Sequence, residues 1–179
     1  MFSKETMMQI DWMMPEIMKE LHRLPFDYLD GEGIDFEPFS EFQSEEETRI
    51  WIQAWTGNQL LNGAEYRVFG QDGSGGYAAF WVVRPEISLL DQPIVFFGSE
   101  GDLGILACTF ADYLWLLASG LGPFEAVGYE DAILVANPVF TTFAINYAAA
   151  NKAMPQEILA EAQSEFPTFK ADIQALCCY

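Results

Sequence analysis

Apolar positions divide the chain into helix-period and strand-period stretches. Met7, Ile10, Met14, Ile17, Met18 and Leu21 recur at helical spacing and predict an N-terminal helix. Pro15 either opens the second part of that helix or kinks it, and Leu24-Pro25 ends it. Ser44 with Glu47 three positions on is a capping-box signature, predicting a helix over 45–55 that Thr56-Gly57-Asn58 stops. The pattern then changes to short runs rich in aromatic and β-branched residues, at 66–69, 77–83 and 93–97, divided by glycine turns. No helical segment separates them, so an antiparallel meander is the economical reading. Thr109 reads as an N-cap, followed by Tyr113, Leu114, Leu116 and Leu117 on a helix that Gly120 closes. The charge-free run 132–151 is expected to form a buried strand followed by a buried helix. An amphipathic helix over 155–166 turns Ile158, Leu159 and Ala162 inward before Pro167. Helix, sheet, helices is an α+β order, in one domain over 1–179.

The glycine-rich stretch GQDGSGGYAAFW, 70–81, offers Gly73, Gly75 and Ala78 to a loose dinucleotide pattern. That chemistry needs a strand before the glycines and a helix after them, whose N-terminal amides meet the pyrophosphate. YRVF supplies the strand, but YAAFWVV follows with strand propensity and no N-cap, and no Lys-Ser or Lys-Thr pair is present. Residues 71–76 therefore read as a hairpin connection.

Charge changes the picture more than composition does. Twenty-seven acids stand against eight Lys and Arg, a formal net charge of −19. Such a chain repels nucleic acid and anionic membrane and attracts basic protein partners. The densest acid lies in 24–48: Asp27, Asp30, Glu32, Asp35, Glu37, Glu41, Glu45, Glu46 and Glu47, with Phe26, Tyr28, Phe36, Phe39 and Phe42 interleaved and no Lys or Arg. Acid for steering beside aromatic anchors is what a tight binder of a basic protein needs, so these residues are the first candidate interface. A solvated loop with its Phe residues in the core is the structural alternative. Asp72 and Glu100, on turns beside the sheet, form a second candidate patch, and Glu130-Asp131 a third. Lysine at Glu45, Glu46 and Glu47 together is expected to slow association with little effect on folding.

Catalytic equipment is sparse. The single histidine, His22, reads as a surface residue and leaves no His-based triad or multi-histidine metal site. Cys108, in the apolar stretch GILACTF, reads as a small core hydrophobe. GSEG at 98–101 lacks nucleophile-elbow spacing, and no DxDxDG-type loop occurs. We therefore expect no enzyme activity, no metal and no cofactor. Three cysteines without metal-ligand spacing, and no secretory pattern in MFSKETMMQIDW, point to a cytoplasmic protein. Asn137-Pro138, Thr141, Thr142, Asn146 and Asn151 make 132–151 a poor bilayer helix, so no membrane association is expected.

Three segments in order, YRVFGQDGSGGYAAFW (66–81), QPIVFFGSEG (92–101) and DYLWLLASGLGPFEAV (112–127), resemble the SUKH superfamily, the Smi/Knr-like family labelled as cell-wall assembly or glucan-synthesis regulators. The motif positions are Gly70, Gly73, Gly75, Gly76, Gly98, Gly101, Trp115 and Gly120. The resemblance implies a SUKH-like α+β fold, a curved antiparallel sheet with helices packed around it. It also implies a non-catalytic role as an immunity protein that neutralises a nuclease- or deaminase-type polymorphic toxin, the cognate toxin domain being the partner. A regulatory scaffold, closer to the eukaryotic members, is the alternative.

Overall fold

A computed structural model of the chain describes residues 12–31, 33–128 and 134–178. Met7, Ile10, Glu32 and Glu130-Asp131 lie outside them. Within the described residues, Pro15 is the N-cap of α1 (Glu16–His22), so the proline opens this helix. A short strand, β1 (Glu37–Pro38), leads to α2 (Glu45–Thr56). Ser44 Oγ accepts from the Glu47 amide while Glu47 Oε2 accepts from the Ser44 amide, and Gly57 closes the helix at φ 68°.

The sheet follows as β2 (Tyr66–Gln71), β3 (Tyr77–Trp81), β4 (Ile94–Phe97) and β5 (Leu103–Ala107). Its order is β1-β2-β3-β4-β5, every pairing antiparallel, the expected meander with two strands added. The pleat sends alternate side chains to opposite faces, and helices cover both. Ala78, Phe80, Ile94, Phe96 and Leu106 join one core with Met18 and Leu21 of α1. Tyr66, Val68, Ala79, Val95, Phe97 and Ile105 join a second core with Ile52 of α2. A sheet buried on both sides needs no polar alternation, which is why its strands read as unbroken apolar runs.

Among the described residues five α-helices follow the sheet: α3 (Phe110–Ala118), α4 (Pro123–Val127), α5 (Pro138–Ala148), α6 (Pro155–Glu165) and α7 (Phe169–Leu176). Thr109 caps α3 by accepting from the Asp112 amide. At the other end the Gly120 amide donates to the Leu117 carbonyl and the Leu121 amide to the Leu116 carbonyl, the paired bonds of a Schellman ending. Gly120 sits at φ 83°, and a Cβ there would meet the Val135 carbonyl oxygen at 2.3 Å. The motif Trp115 is buried and donates from Nε1 to the Ala148 carbonyl at 2.8 Å, pinning α3 to the end of α5.

Two expectations fail. Residues 134–137 form no strand, and Leu134, Val135 and Ala136 are exposed; α5 buries Phe140, Phe143 and Ala144 on one side only. His22 is half-buried and not a surface group: its Nδ1 donates to the Phe39 carbonyl at 2.6 Å, and it lies beside Phe26 and Phe69. Burial lowers its pKa, and the bond from Nδ1 leaves the neutral ring with its proton there. Cys108 is buried, and its thiol is pushed up to about 12 chiefly by that burial.

Candidate functional site

The long acidic stretch does not make one patch. From Glu37 the chain follows β2 toward its start: Pro38 pairs with Gly70, the Phe39 amide donates to the Phe69 carbonyl and, after a bend at Ser40 and Glu41, the Gln43 amide donates to the Val68 carbonyl. That travel covers three positions of β2, Gln71 to Val68, roughly 10 Å at strand spacing. The helix α2 then returns across the sheet, and Trp55 Nε1 donates to the Gly98 carbonyl at 2.8 Å, at the β4–β5 turn. Glu45, Glu46 and Glu47 therefore stand at one end of the sheet, and the β2–β3 and β4–β5 turns at the other.

At the turn end three segments meet. Asp72 opens the β2–β3 turn, and its Oδ1 accepts from the Ser74 amide at 2.9 Å, the Ser74 hydroxyl at 2.8 Å and the Gly76 amide at 2.8 Å. The residue is 3% exposed, so the carboxylate organises the turn from inside and is not offered to a partner. Asp35 is half-buried and reaches the same turn, with Oδ1 accepting from the Gly73 amide at 2.9 Å. Ser99 Oγ donates to Ser74 Oγ at 3.0 Å and joins the β4–β5 turn, itself closed by the Gly98 amide donating to the Asp102 carbonyl. Glu37, Glu100 and Asp102 are exposed on this frame, and Gln71 Nε2 donates to Glu37 Oε2 at 3.0 Å.

The arm leading into this end is also held. Its 27–34 loop is closed by the Ile34 amide donating to the Asp27 carbonyl and the Gly33 amide donating to the Tyr28 carbonyl. Leu29 and Asp30 take left-handed backbone there, at φ 47° and 53°. Asp27 and Asp30 are exposed, and Tyr28 and Leu29 present 57% and 58% of their surfaces. Of the aromatic residues in 24–48, Phe36 and Phe42 are core residues and Phe26 and Phe39 pack against the cores; Tyr28 is the one left as a surface anchor. Glu41 is exposed at the bend between the two ends.

Glu125 of α4 ties this arm to the helices, its Oε1 accepting from the Asp35 amide at 3.1 Å. Burial, with the Asp35 charge adding, raises the Glu125 pKa, and its Oε2 is buried without a hydrogen-bond partner. An acid whose pKa rises on folding contributes most below its unfolded value, near 4.5, and that contribution is lost as pH rises through the folded value. Glu125→Gln keeps an acceptor for Asp35 and removes the buried charge. It is expected to raise the thermal midpoint above wild type at pH 7.5 and to leave it unchanged at pH 4; a midpoint lowered at both values contradicts this.

The remaining acids have local duties. Glu46 pairs with Arg49 through bonds to both carboxylate oxygens, and Glu47 caps α2. Lysine at Glu47 would break the capping box and cost about 1 kcal/mol, so the triple replacement is not neutral to folding as the sequence suggested. Among the described residues no group of three or more His, Cys, Asp or Glu is placed to hold a metal ion. No helix there is long and apolar enough to cross a membrane. A cavity of about 430 Å³ lies beside β5, between Val127 on one side and Leu159, Phe166 and Phe169 on the other, without a cluster of titratable groups.

No family model, curated protein or solved structure matches the chain. The glycine-turn, GSEG and Trp115–Gly120 motifs build the turn end of the sheet and the α3 ending.

Proposed function

We propose that the chain is a non-catalytic acidic binding protein of the immunity kind. It neutralises a basic toxin domain that acts on nucleic acid, a nuclease or a deaminase, by direct binding in the cytoplasm. The observation that carries the reading is the turn end of the sheet. Glu37 on β1 and Glu100 and Asp102 on the β4–β5 turn are exposed at this end, on a frame fixed by Asp35 and Asp72. A domain that holds phosphate must present Lys and Arg, and fixed carboxylates opposite them give steering and register without an ordering cost. Tyr28 and Leu29, exposed beside Asp27 and Asp30, supply apolar contact that slows dissociation. A regulatory scaffold would instead engage several cellular proteins with no toxic one among them.

Charge reversal tests the placement. The triple variant Glu37→Lys, Glu100→Lys, Asp102→Lys is expected to lower the association rate at low salt by about tenfold or more and to flatten its salt dependence. The pair Glu45→Lys, Glu46→Lys, in the first turn of α2, is the control and should lower the rate by less per reversed charge. Equal association by wild type and the turn-end triple in stopped-flow mixing removes this surface from the interface.

A further inference from the structure

The acid that dominates the surface is absent from α5. No charged residue occurs between Asp131 and Lys152, and this stretch was expected to be buried. Instead Pro138, Val139, Thr142, Ile145 and Asn146 of α5 are all exposed. At 100° per residue these five lie within one arc of about 120°, opposite buried Phe140 and Ala144. Val139 and Ile145 flank the strip at 42% and 53% exposure, and Thr142 and Asn146 form its middle. The exposed Leu134, Val135 and Ala136 precede it in the chain. The carboxylates next to α5 mark its borders: Glu20 accepts from the Tyr147 hydroxyl, and Asp112 accepts from Asn151 Nδ2 at 3.3 Å.

We propose that this face of α5 is a homodimer interface, in which α5 packs antiparallel on α5 of a second copy across a twofold axis. The charge pattern selects that occupant. A basic partner is drawn to carboxylates and gains nothing from a strip that has none. Two copies, each carrying −19, can approach only where neither presents acid. The small side chains at the middle of the strip allow close approach of the helix axes, about 8–10 Å. Antiparallel pairing also sets each helix N-terminus beside the other's C-terminus. An eleven-residue helix is about 16 Å long, so the pair buries on the order of 1,000 Å² in total, the lower limit for a specific interface. An interface at that limit makes a weak, concentration-dependent dimer.

Sedimentation velocity of the full chain from 2 to about 200 μM, in about 0.05 and 0.5 M NaCl, tests this. The expected result is a concentration-dependent monomer–dimer equilibrium, stronger at high salt because screening weakens repulsion between the two acidic bodies. Ile145→Glu and, separately, Thr142→Arg should abolish the dimer with far-UV circular dichroism and thermal midpoint retained. If either variant misfolds, the other still decides. A monomer at every concentration in 0.5 M salt overturns the proposal. So does a dimer that persists in either folded variant. This interface is independent of the turn-end surface, so loss of the dimer leaves toxin binding unaffected.

Discussion

Gly76→Val is expected to lower the unfolding free energy by about 3 kcal/mol, a loss of roughly 6–12 °C in thermal midpoint for a chain of this size. Gly76 is buried where the β2–β3 turn re-enters the sheet, and its problem is space. A Cβ there would stand 2.5 Å from Phe96 Cζ, 3.0 Å from Asp72 Oδ2 and 3.0 Å from Gly98 Cα. Phe96 is wholly buried between α4 and the sheet, and Asp72 is tied to the turn by three bonds, so neither neighbour can retreat cheaply. Gly75, one position earlier, differs in kind: it sits at φ 90° with nothing within 4 Å of a built Cβ. Gly75→Ala should cost about 1 kcal/mol through backbone conformation alone. Gly76→Ala should cost more, because contact and not conformation sets it. Equal midpoints for the two alanine variants, read by differential scanning calorimetry, would show that the turn is not packed in this way.

Gln92→Leu carries the second large effect. Gln92 is wholly buried two positions before β4, and its side chain replaces a piece of secondary structure for the 83–87 loop. Its Oε1 accepts from the Val83 and Arg84 amides at 3.0 and 2.9 Å, while Nε2 donates to the Arg84 and Ile87 carbonyls at 2.6 and 3.3 Å. Leucine fills similar volume and strands all four backbone groups. With part of the loop open to water, the cost is about 3 kcal/mol. The loop should also loosen locally, since Glu86 at φ 59° is held in a left-handed conformation by these ties. Hydrogen exchange at the Val83 and Arg84 amides should then accelerate at least tenfold, about 1.4 kcal/mol of local opening, before the rest of the sheet responds. Unchanged exchange at these amides would mean the loop stands without Gln92.

How much of this was legible depends on whether the determinant is local. The helix α2 was readable because Ser44, Glu47 and Gly57 act within a turn of each end, and α3 because Thr109 and Gly120 do the same. The strands of the meander were readable from aromatic and β-branched runs. Leu103–Ala107 escaped because LGILA is too short to separate from the apolar run that follows it, and its strand character comes from pairing with β4. The error at 134–137 has a different origin: an apolar, charge-free sequence was equated with burial in the chain's own core.

The candidate site was half legible. That 24–48 was acidic, and that its phenylalanines alternated with the acids, could be read directly. What could not be read was the return of α2 across the sheet, which places Glu45–Glu47 at the end away from Glu37. The Asp35–Gly73 bond joins residues 38 positions apart, and the Asp35–Glu125 bond joins residues 90 apart. Neither leaves a signal in local spacing. Asp72 looked like a surface acid on a turn, and only the three bonds it accepts reveal a carboxylate turned inward.

The proposed role is recognition of a basic toxin domain by an acidic surface. Its most direct test is co-expression of the chain with proteins encoded beside it in the source genome, followed by purification at low and moderate salt. The predicted result is one basic partner in a one-to-one complex with this chain. That partner kills cells when expressed alone, and the Glu37→Lys, Glu100→Lys, Asp102→Lys chain no longer protects against it. Recovery of several non-toxic cellular proteins that persist at moderate salt, or a toxic partner still neutralised by the triple variant, would contradict it.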